Sequence, residues 1–287
     1  MTGLIVLGLW GPNLMRPPPP AWTLYSSTKG RIRRVVLADG SVVRLNGASK
    51  VRVVFEDGDR RASLGDTEAA FAVAPSPHRP FLILAGDRQA RINAGEVNIL
   101  RQTTGDHSMT VLTVRQGQAI IYPVGQPQAP PVTAGPGAQV TWTDGQPSPS
   151  VRPVNAANAF AWESRRLAYD KAPLAEVIAD LNRYVARPIR LGDPSLATAP
   201  FSGVLTLEGE DMMLRRIALT VPVEARPLAA EIVLQRRGPC APKGCAKPAR
   251  KRRPNPLVQS LLKMGRPAPE PGSEAGRGRG AQTRPAA

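Results

Sequence analysis

YSSTKGRIRRVVLADGSVVRL, residues Tyr25 to Leu45, is the stretch from which the fold class is read. Two basic, β-branched runs meet at Asp39-Gly40. An Asp-Gly pair between alternating apolar runs predicts a hairpin, because both central residues of a type I′ turn need positive φ. The pattern recurs: Val51 to Glu56 leads into Asp57-Gly58, and Phe81 to Ala85 leads into Gly86-Asp87. Val51, Val53 and Phe55 alternate with Arg52 and Val54, and Ala69, Phe71 and Val73 alternate in the same way, the period of a strand with one apolar face. Asn46-Gly47 offers a further turn. Apolar runs at Ile92 to Leu100, Met109 to Val114 and Ala119 to Tyr122 follow, with Gln116-Gly117 between the last two. Helical periodicity is missing throughout. Residues 23–142 therefore read as an all-β domain, a sandwich, a barrel or a β-solenoid.

The chain then changes. Residues 143–159 are rich in Pro, Ser, Asn and Ala and read as a linker. From 160 to 236 the pattern mixes strands and helices. Arg166 to Tyr169 reads as a strand. Pro173 sits where a helix begins, and Leu174, Val177, Ile178, Leu181 and Val185 follow at helical spacing. Ile189 to Leu191 and Phe201 to Leu207 are strand-like. Asp211 can cap a second helix with Leu214, Ile217 and Ala218 inward. Val221 to Ala225 and Ile232 to Leu234 complete a β-α-β-β-α-β-β order, a small α+β domain with two helices against one sheet.

Charge is unevenly spread. The 287 residues carry a net +16, but from Arg236 onward there are 13 Lys/Arg against 2 Asp/Glu. The preceding part is only mildly basic, and no nucleic-acid groove is read from it. Residues 237–287, rich in Pro, Gly and Arg, lack the apolar content to offset ordering entropy and read as a disordered basic tail. Both cysteines, Cys240 and Cys245, fall there, and without a neighbouring His they do not complete a four-ligand zinc site. At the other end, Gly3 to Trp10 is strongly apolar but shorter than the roughly 20 residues a membrane helix needs. With the Pro17 to Pro20 spacer, residues 1–22 read as the outer end of a membrane segment.

The order of several short motifs resembles the periplasmic part of FecR-type anti-sigma regulators. Tyr25-Ser26-Ser27-Thr28, Gly30-Arg31 and Leu37-Ala38-Asp39-Gly40-Ser41-Val42-Val43-Arg44-Leu45-Asn46 carry it first. Thr67 to Val73, Arg79-Pro80-Phe81, Val114-Arg115-Gln116-Gly117 and Ala134-Gly135 continue it. Ala161-Trp162, Leu167-Ala168-Tyr169, Asn182-Arg183-Tyr184 and Ser202-Gly203-Val204 extend it to about residue 236. The second domain is also similar to the short N-terminal signalling domain of secretins and TonB-dependent receptors. The resemblance implies no enzyme and no cofactor. It implies a transmembrane signal regulator anchored in the inner membrane, facing the periplasm and sensing the signalling domain of a TonB-dependent outer-membrane receptor, often one for iron chelates. An extracytoplasmic-function sigma factor is a partner only of a longer N-terminus. Candidate contacts are Arg183, Tyr184, Phe201, Ser202, Gly203, Val204 and Leu205, some through sheet-edge pairing.

Other classes fit less well. An envelope β-protein binding glycan or serving as a scaffold, and a nucleic-acid binder acting through the tail, are the alternatives. His78 and His107 read as surface loop residues, and the Asp-Gly pairs as turn chemistry instead of calcium ligands. Neither Ser41 nor Ser63 has a His at a suggestive position. Trp162 and Tyr169 are open between a partner surface and core or inter-domain packing. In some relatives of the resembling family a Gly-Thr bond cleaves itself by an N-to-O acyl shift, which needs a hydroxyl or thiol on the second residue. Here the corresponding pair is Gly95-Glu96, which has neither. The folded protein is therefore expected to run as one species by intact mass. Two stoichiometric fragments divided after Gly95 would overturn that expectation.

Overall fold

The computed structural model describes residues 21–56, 58–126 and 128–238. The apolar stretch at 3–10, Asp57, both cysteines and the basic tail lie outside the described residues. The described chain is mainly β with a small α+β part.

Twelve strands make one sheet: β1 (Thr23–Ser26), β2 (Arg33–Val36), β3 (Val42–Leu45), β4 (Lys50–Glu56), β5 (Asp59–Leu64), β6 (Thr67–Val73), β7 (Phe81–Ala85), β8 (Arg88–Thr104), β9 (His107–Pro123), β10 (Val132–Ala134), β11 (Ala138–Thr143) and β12 (Ser150–Pro153). The spine is the hairpin of β8 and β9, each 17 residues long. Its base, Arg88 to Ile92 against Ala119 to Pro123, continues through β7, β5, β4 and β1 on one side and β10 on the other. Its distal part, Gly95 to Thr104 against His107 to Gly117, continues through β6, β3 and β2, and through β11 and β12. All pairs are antiparallel except β5 with β7. Val53, Ile83, Ile92 and Ile121 from the first half share one buried core with Leu45, Phe71, Ile99, Leu112 and Val140 from the second. The sheet is thus folded over on itself, the sandwich among the architectures open to the sequence.

The fold-over happens at one place. Gly95 and Gly117 face each other across the hairpin, with register shifts on either side of Gly95. Their φ values are 132° and 80°, a region L side chains rarely adopt. A Cβ on Gly95 would collide with the Gln116 carbonyl oxygen, and one on Gly117 with the Ala94 carbonyl oxygen. Gln116-Gly117 is therefore not a hairpin end, as its composition suggests, but a bulge that turns a continuous strand. The Asp39-Gly40 hairpin forms, though not as a type I′ turn. Gly40 has φ 83° while Asp39 keeps a negative φ, and the Asp39 carboxylate accepts from the Ser41 amide at 3.0 Å. That loop is pinned by Arg60, only 1% exposed, which pairs with Asp39 at 2.8 Å and donates to the Ala74 and Arg79 carbonyls.

The α+β lobe contains β13 (Arg166–Pro173), α2 (Leu174–Leu181), β14 (Ile189–Leu191), β15 (Pro200–Thr206), α3 (Glu210–Thr220), β16 (Val223–Pro227) and β17 (Ile232–Arg236), the order read from sequence. Two details differ. The strands form two small sheets, β13 with β15 and β14-β17-β16, where one was expected. The second helix starts from Gly209, so Asp211 lies in its first turn instead of capping it. Residues 143–159 are also more than a linker: β12 extends the large sheet and α1 (Ala156–Ala159), capped by Asn155, leads into a 3-10 turn at Ala161–Ser164. The cross-strand bonds of β12 to β11 satisfy backbone groups that composition alone leaves as loop. Among the described residues no helix is long and apolar enough to cross a membrane.

Replacing Gly117 by Ala forces a strained φ and a backbone clash together. A loss of roughly 2–4 kcal/mol is expected by urea unfolding. Gly105, with φ 58° but open space around its Cα, serves as the comparison. Its Ala variant should lose only about 1–2 kcal/mol. Equal losses would mean the crease tolerates a side chain.

Candidate functional site

Part of the outer face of β6 is covered by the second lobe. Ala70 is fully buried in the core of the α+β lobe, and Ile32 packs on the same core. Beside this apolar contact runs a chain of buried polar groups. Glu68 on β6 is 7% exposed, and its two carboxylate oxygens accept from Asn46 Nδ2 at 2.6 Å and Asn98 Nδ2 at 3.0 Å. The far side of each amide reaches the other lobe. Trp162 Nε1 donates to Asn98 Oδ1 at 3.1 Å, and the Tyr184 hydroxyl donates to Asn46 Oδ1 at 2.5 Å. The Gly30 amide donates to the Arg183 carbonyl at 2.9 Å. Each side-chain amide thus donates to the β lobe's carboxylate and accepts from the α+β lobe.

A second, more exposed cluster flanks the first. Glu163, in the 3-10 turn, pairs with Arg44 at 2.5 Å and with Arg115 at 3.3 Å. Glu96 pairs with Arg115 at 2.5 Å and Arg44 at 3.6 Å. The Arg115 guanidinium lies 4.0 Å from the Phe160 ring centroid. The hydrogen bond from Arg115, outweighing partial burial, holds the Glu96 carboxyl below its ordinary pKa. Alternating charges at this spacing tie β3 and β9 to the turn that starts the second lobe.

Between the lobes opens a cleft of about 570 Å³. Leu100, Met109 and Val111 line it from the sheet, Tyr169 and Asp170 from β13, and Glu176 and Asp180 from α2. Glu68, Asn98 and Trp162 form its depth. The Tyr169 hydroxyl donates to Asp180 Oδ2 at 3.0 Å. Burial raises the Glu68 carboxyl above its ordinary pKa, against the charge of Arg183 and the two amide hydrogen bonds. Burial, reinforced by the Glu68 charge, pushes Asp180 up to about 7. Such a concave, mixed-polarity place with shifted carboxyls is where a binding role is sought first. Among the described residues no group of His, Cys, Asp and Glu gathers as a metal site.

The residues singled out by sequence do not share one surface. Phe201 and Leu205 are buried in the α+β core, the Phe201 ring 5.7 Å from that of Tyr169. Arg183 and Tyr184 are spent at the lobe junction. Only Ser202, Gly203 and Val204 are exposed, on β15, whose strand bonds run to β13 alone. Gly95 and Glu96 sit at the crease. Trp162 and Tyr169 pack at the junction, His78 is an exposed turn residue, and His107 is exposed at the start of β9. Glu68, Asn98, Asp180 and Glu163 were not singled out. Their only sequence signal is a polar residue inside a strand or helix pattern that is otherwise apolar.

Gly47 marks the tightest approach. A Cβ there would lie 2.8 Å from the Arg183 carbonyl oxygen of the other lobe. Gly47→Val should therefore wedge the lobes apart. Losing the Tyr184 and Gly30 bonds, at about 1 kcal/mol each, implies a fall of roughly tenfold or more in the docked fraction. Faster proteolysis within 143–165, with the β-lobe amide signals unchanged, is the expected readout. Unaltered cleavage would show that the approach is not needed for docking.

Residues 23–119, most of the first lobe, match the family described as FecR protein. No curated protein matches the chain. Two crystal structures, at 2.50 and 1.65 Å, of a candidate anti-sigma factor from Parabacteroides distasonis ATCC 8503 share the fold. Each superposes with a TM-score of 0.66 at 22% identity, over 75% of this chain and 99% of the other.

Proposed function

We propose that this chain, whose residues 23–119 match the family described as FecR protein, is the sensing part of an anti-sigma regulator and works by binding, not by catalysis. Its partner in this reading is the signalling domain of a TonB-dependent outer-membrane receptor. The described residues face the periplasm, with the apolar N-terminal stretch leading to an inner-membrane anchor. A sigma factor is held only where a longer N-terminus exists.

The observation that carries this reading is the free side of the α+β lobe. β15 is hydrogen-bonded to β13 on one side, and Val204 at its centre is 49% exposed. On the neighbouring helix α3, Leu219 is 87% exposed and Met212 is also uncovered. Arg216 of that helix donates to the Val204 carbonyl at 3.2 Å, placing strand and helix residues in one strip. A strand edge beside exposed apolar side chains suits an added strand, in which backbone bonds give affinity and side chains give choice.

The test is titration of the receptor's isolated signalling domain into the full chain. Saturable binding is expected. A combined Val204→Asp, Leu219→Asp variant should weaken it at least about tenfold without lowering Tm, since both residues are exposed and central to the strip. Truncation after Arg237 should leave binding intact. Loss of binding with the tail, together with retained affinity for nucleic acid in the full chain, would instead favour a tail-borne function.

A further inference from the structure

We propose that Glu68 and Asp180 act as a proton-operated latch: the lobes dock while one carboxyl is protonated, and ionisation of both loosens the α+β lobe. The two groups come from different lobes, Glu68 from β6 and Asp180 from α2, and both line the cleft. Neither has a cationic partner within 4.0 Å among the described residues. A buried carboxylate without such a partner is costly, and two that feel each other do not both ionise freely. Glu68 lies deep, with both oxygens engaged by Asn46 and Asn98. Asp180 is half-buried on the cleft wall, where protons reach it from solvent.

The surroundings of Asp180 are predominantly acidic. Tyr169 faces it from β13 and donates a hydrogen bond that favours the ionised carboxyl, but burial outweighs it. Glu68 faces it from β6, and Glu176 lies one turn earlier on α2. Arg183, three residues on, is the opposing charge, while Arg152 on β12 acts on Glu176. Tyr184 adjoins the same group but stays neutral, its hydroxyl raised by burial. Loosening would be transmitted through position. Asp180 is followed within four residues by Arg183 and Tyr184, which make the Gly30 and Asn46 bonds of the junction.

The direction follows from linkage. In the undocked protein Asp180 meets water and ionises near the ordinary value of 3.8; docked, it holds its proton up to about 7. Docking is therefore favoured by protonation. That contribution is complete below pH 4, declines as pH rises through 7 and is gone above it. Glu96, whose carboxyl is held low, contributes in the opposite sense and only in more acidic solution. The informative window is pH 6 to 8.5. The latch is independent of which partner the exposed strip takes.

The Trp162 indole N–H reports the junction directly. In the full chain its NMR signal is assigned with Trp162→Phe, and its solvent protection is followed against pH after correction for intrinsic exchange. Protection is expected to fall at least about tenfold between pH 6 and 8.5. Asp180→Asn, which keeps the Tyr169 bond, should stay protected at both ends. Glu68→Gln, which removes the charge facing Asp180 at the cost of one of the two amide bonds, should flatten the same profile. β-lobe amide signals identify any variant that misfolds, and the other variant then decides. Equal protection of the wild type at pH 6 and 8.5 would overturn the latch, as would an unchanged profile in both variants.

Discussion

Asn98 stands where three demands meet. Its amide nitrogen donates to Glu68, its oxygen accepts from Trp162, and its backbone is paired in the distal half of β8. A side-chain amide has one donor end and one acceptor end, so the bond to a carboxylate on one side obliges the other end to find a donor. The indole N–H of Trp162 is that donor, and its ring is only 2% exposed. Asn46 repeats the logic with Tyr184. The position of the α+β lobe is therefore set by the orientation of two amides that the β lobe has already fixed.

That arrangement says something about why the junction is polar. Each of these bonds contributes only about 1 kcal/mol net, whereas leaving a buried donor or acceptor unmade costs about 1–3 kcal/mol. The junction is thus a weak source of affinity and a strong filter on geometry. A lobe docked a residue out of register would strand two amide oxygens, an indole and a phenol at once. An apolar junction of the same area would hold more tightly and discriminate less. The polar junction therefore fixes where the lobe sits more than it adds to how tightly the lobe is held.

Much of the fold was legible. Hairpin turns, strand alternation and the β-α-β-β-α-β-β order all come from local rules that neighbouring residues obey. The illegible parts share one cause, which is burial created by elements distant in sequence. Ala70 falls at an outward position of an alternating strand, and it is buried only because the second lobe covers it. Gln116-Gly117 has the composition of a turn, and only Gly95 on the facing strand makes it a crease. β12 looks like linker because its partner groups lie on β11. The candidate site was less legible for the same reason. Glu68 and Asp180 are 112 positions apart and become a pair only when the lobes meet. Phe201 and Leu205 were singled out for lying in a marked motif, yet alternation along β15 turns them inward and leaves Val204 outside.

The crease and the junction are not separate devices. Glu96 follows Gly95 directly, and its carboxylate joins Arg44 and Arg115, the two guanidinium groups that hold Glu163 of the second lobe. The bend that folds the sheet thus also places the ion cluster that receives the 3-10 turn. Glu68, on the strand paired with this same part of β8, carries the buried half of the contact. A change in how the sheet bends would reach Glu96 and then Glu163, whereas a change at Asp180 would reach Asn46 and Asn98 through Glu68. Both routes end on the attachment of one small lobe, whose exposed strip lies on β15 and α3. In the structure, both the ion cluster and the buried polar chain therefore act on the same thing, how the small lobe is held on the large one.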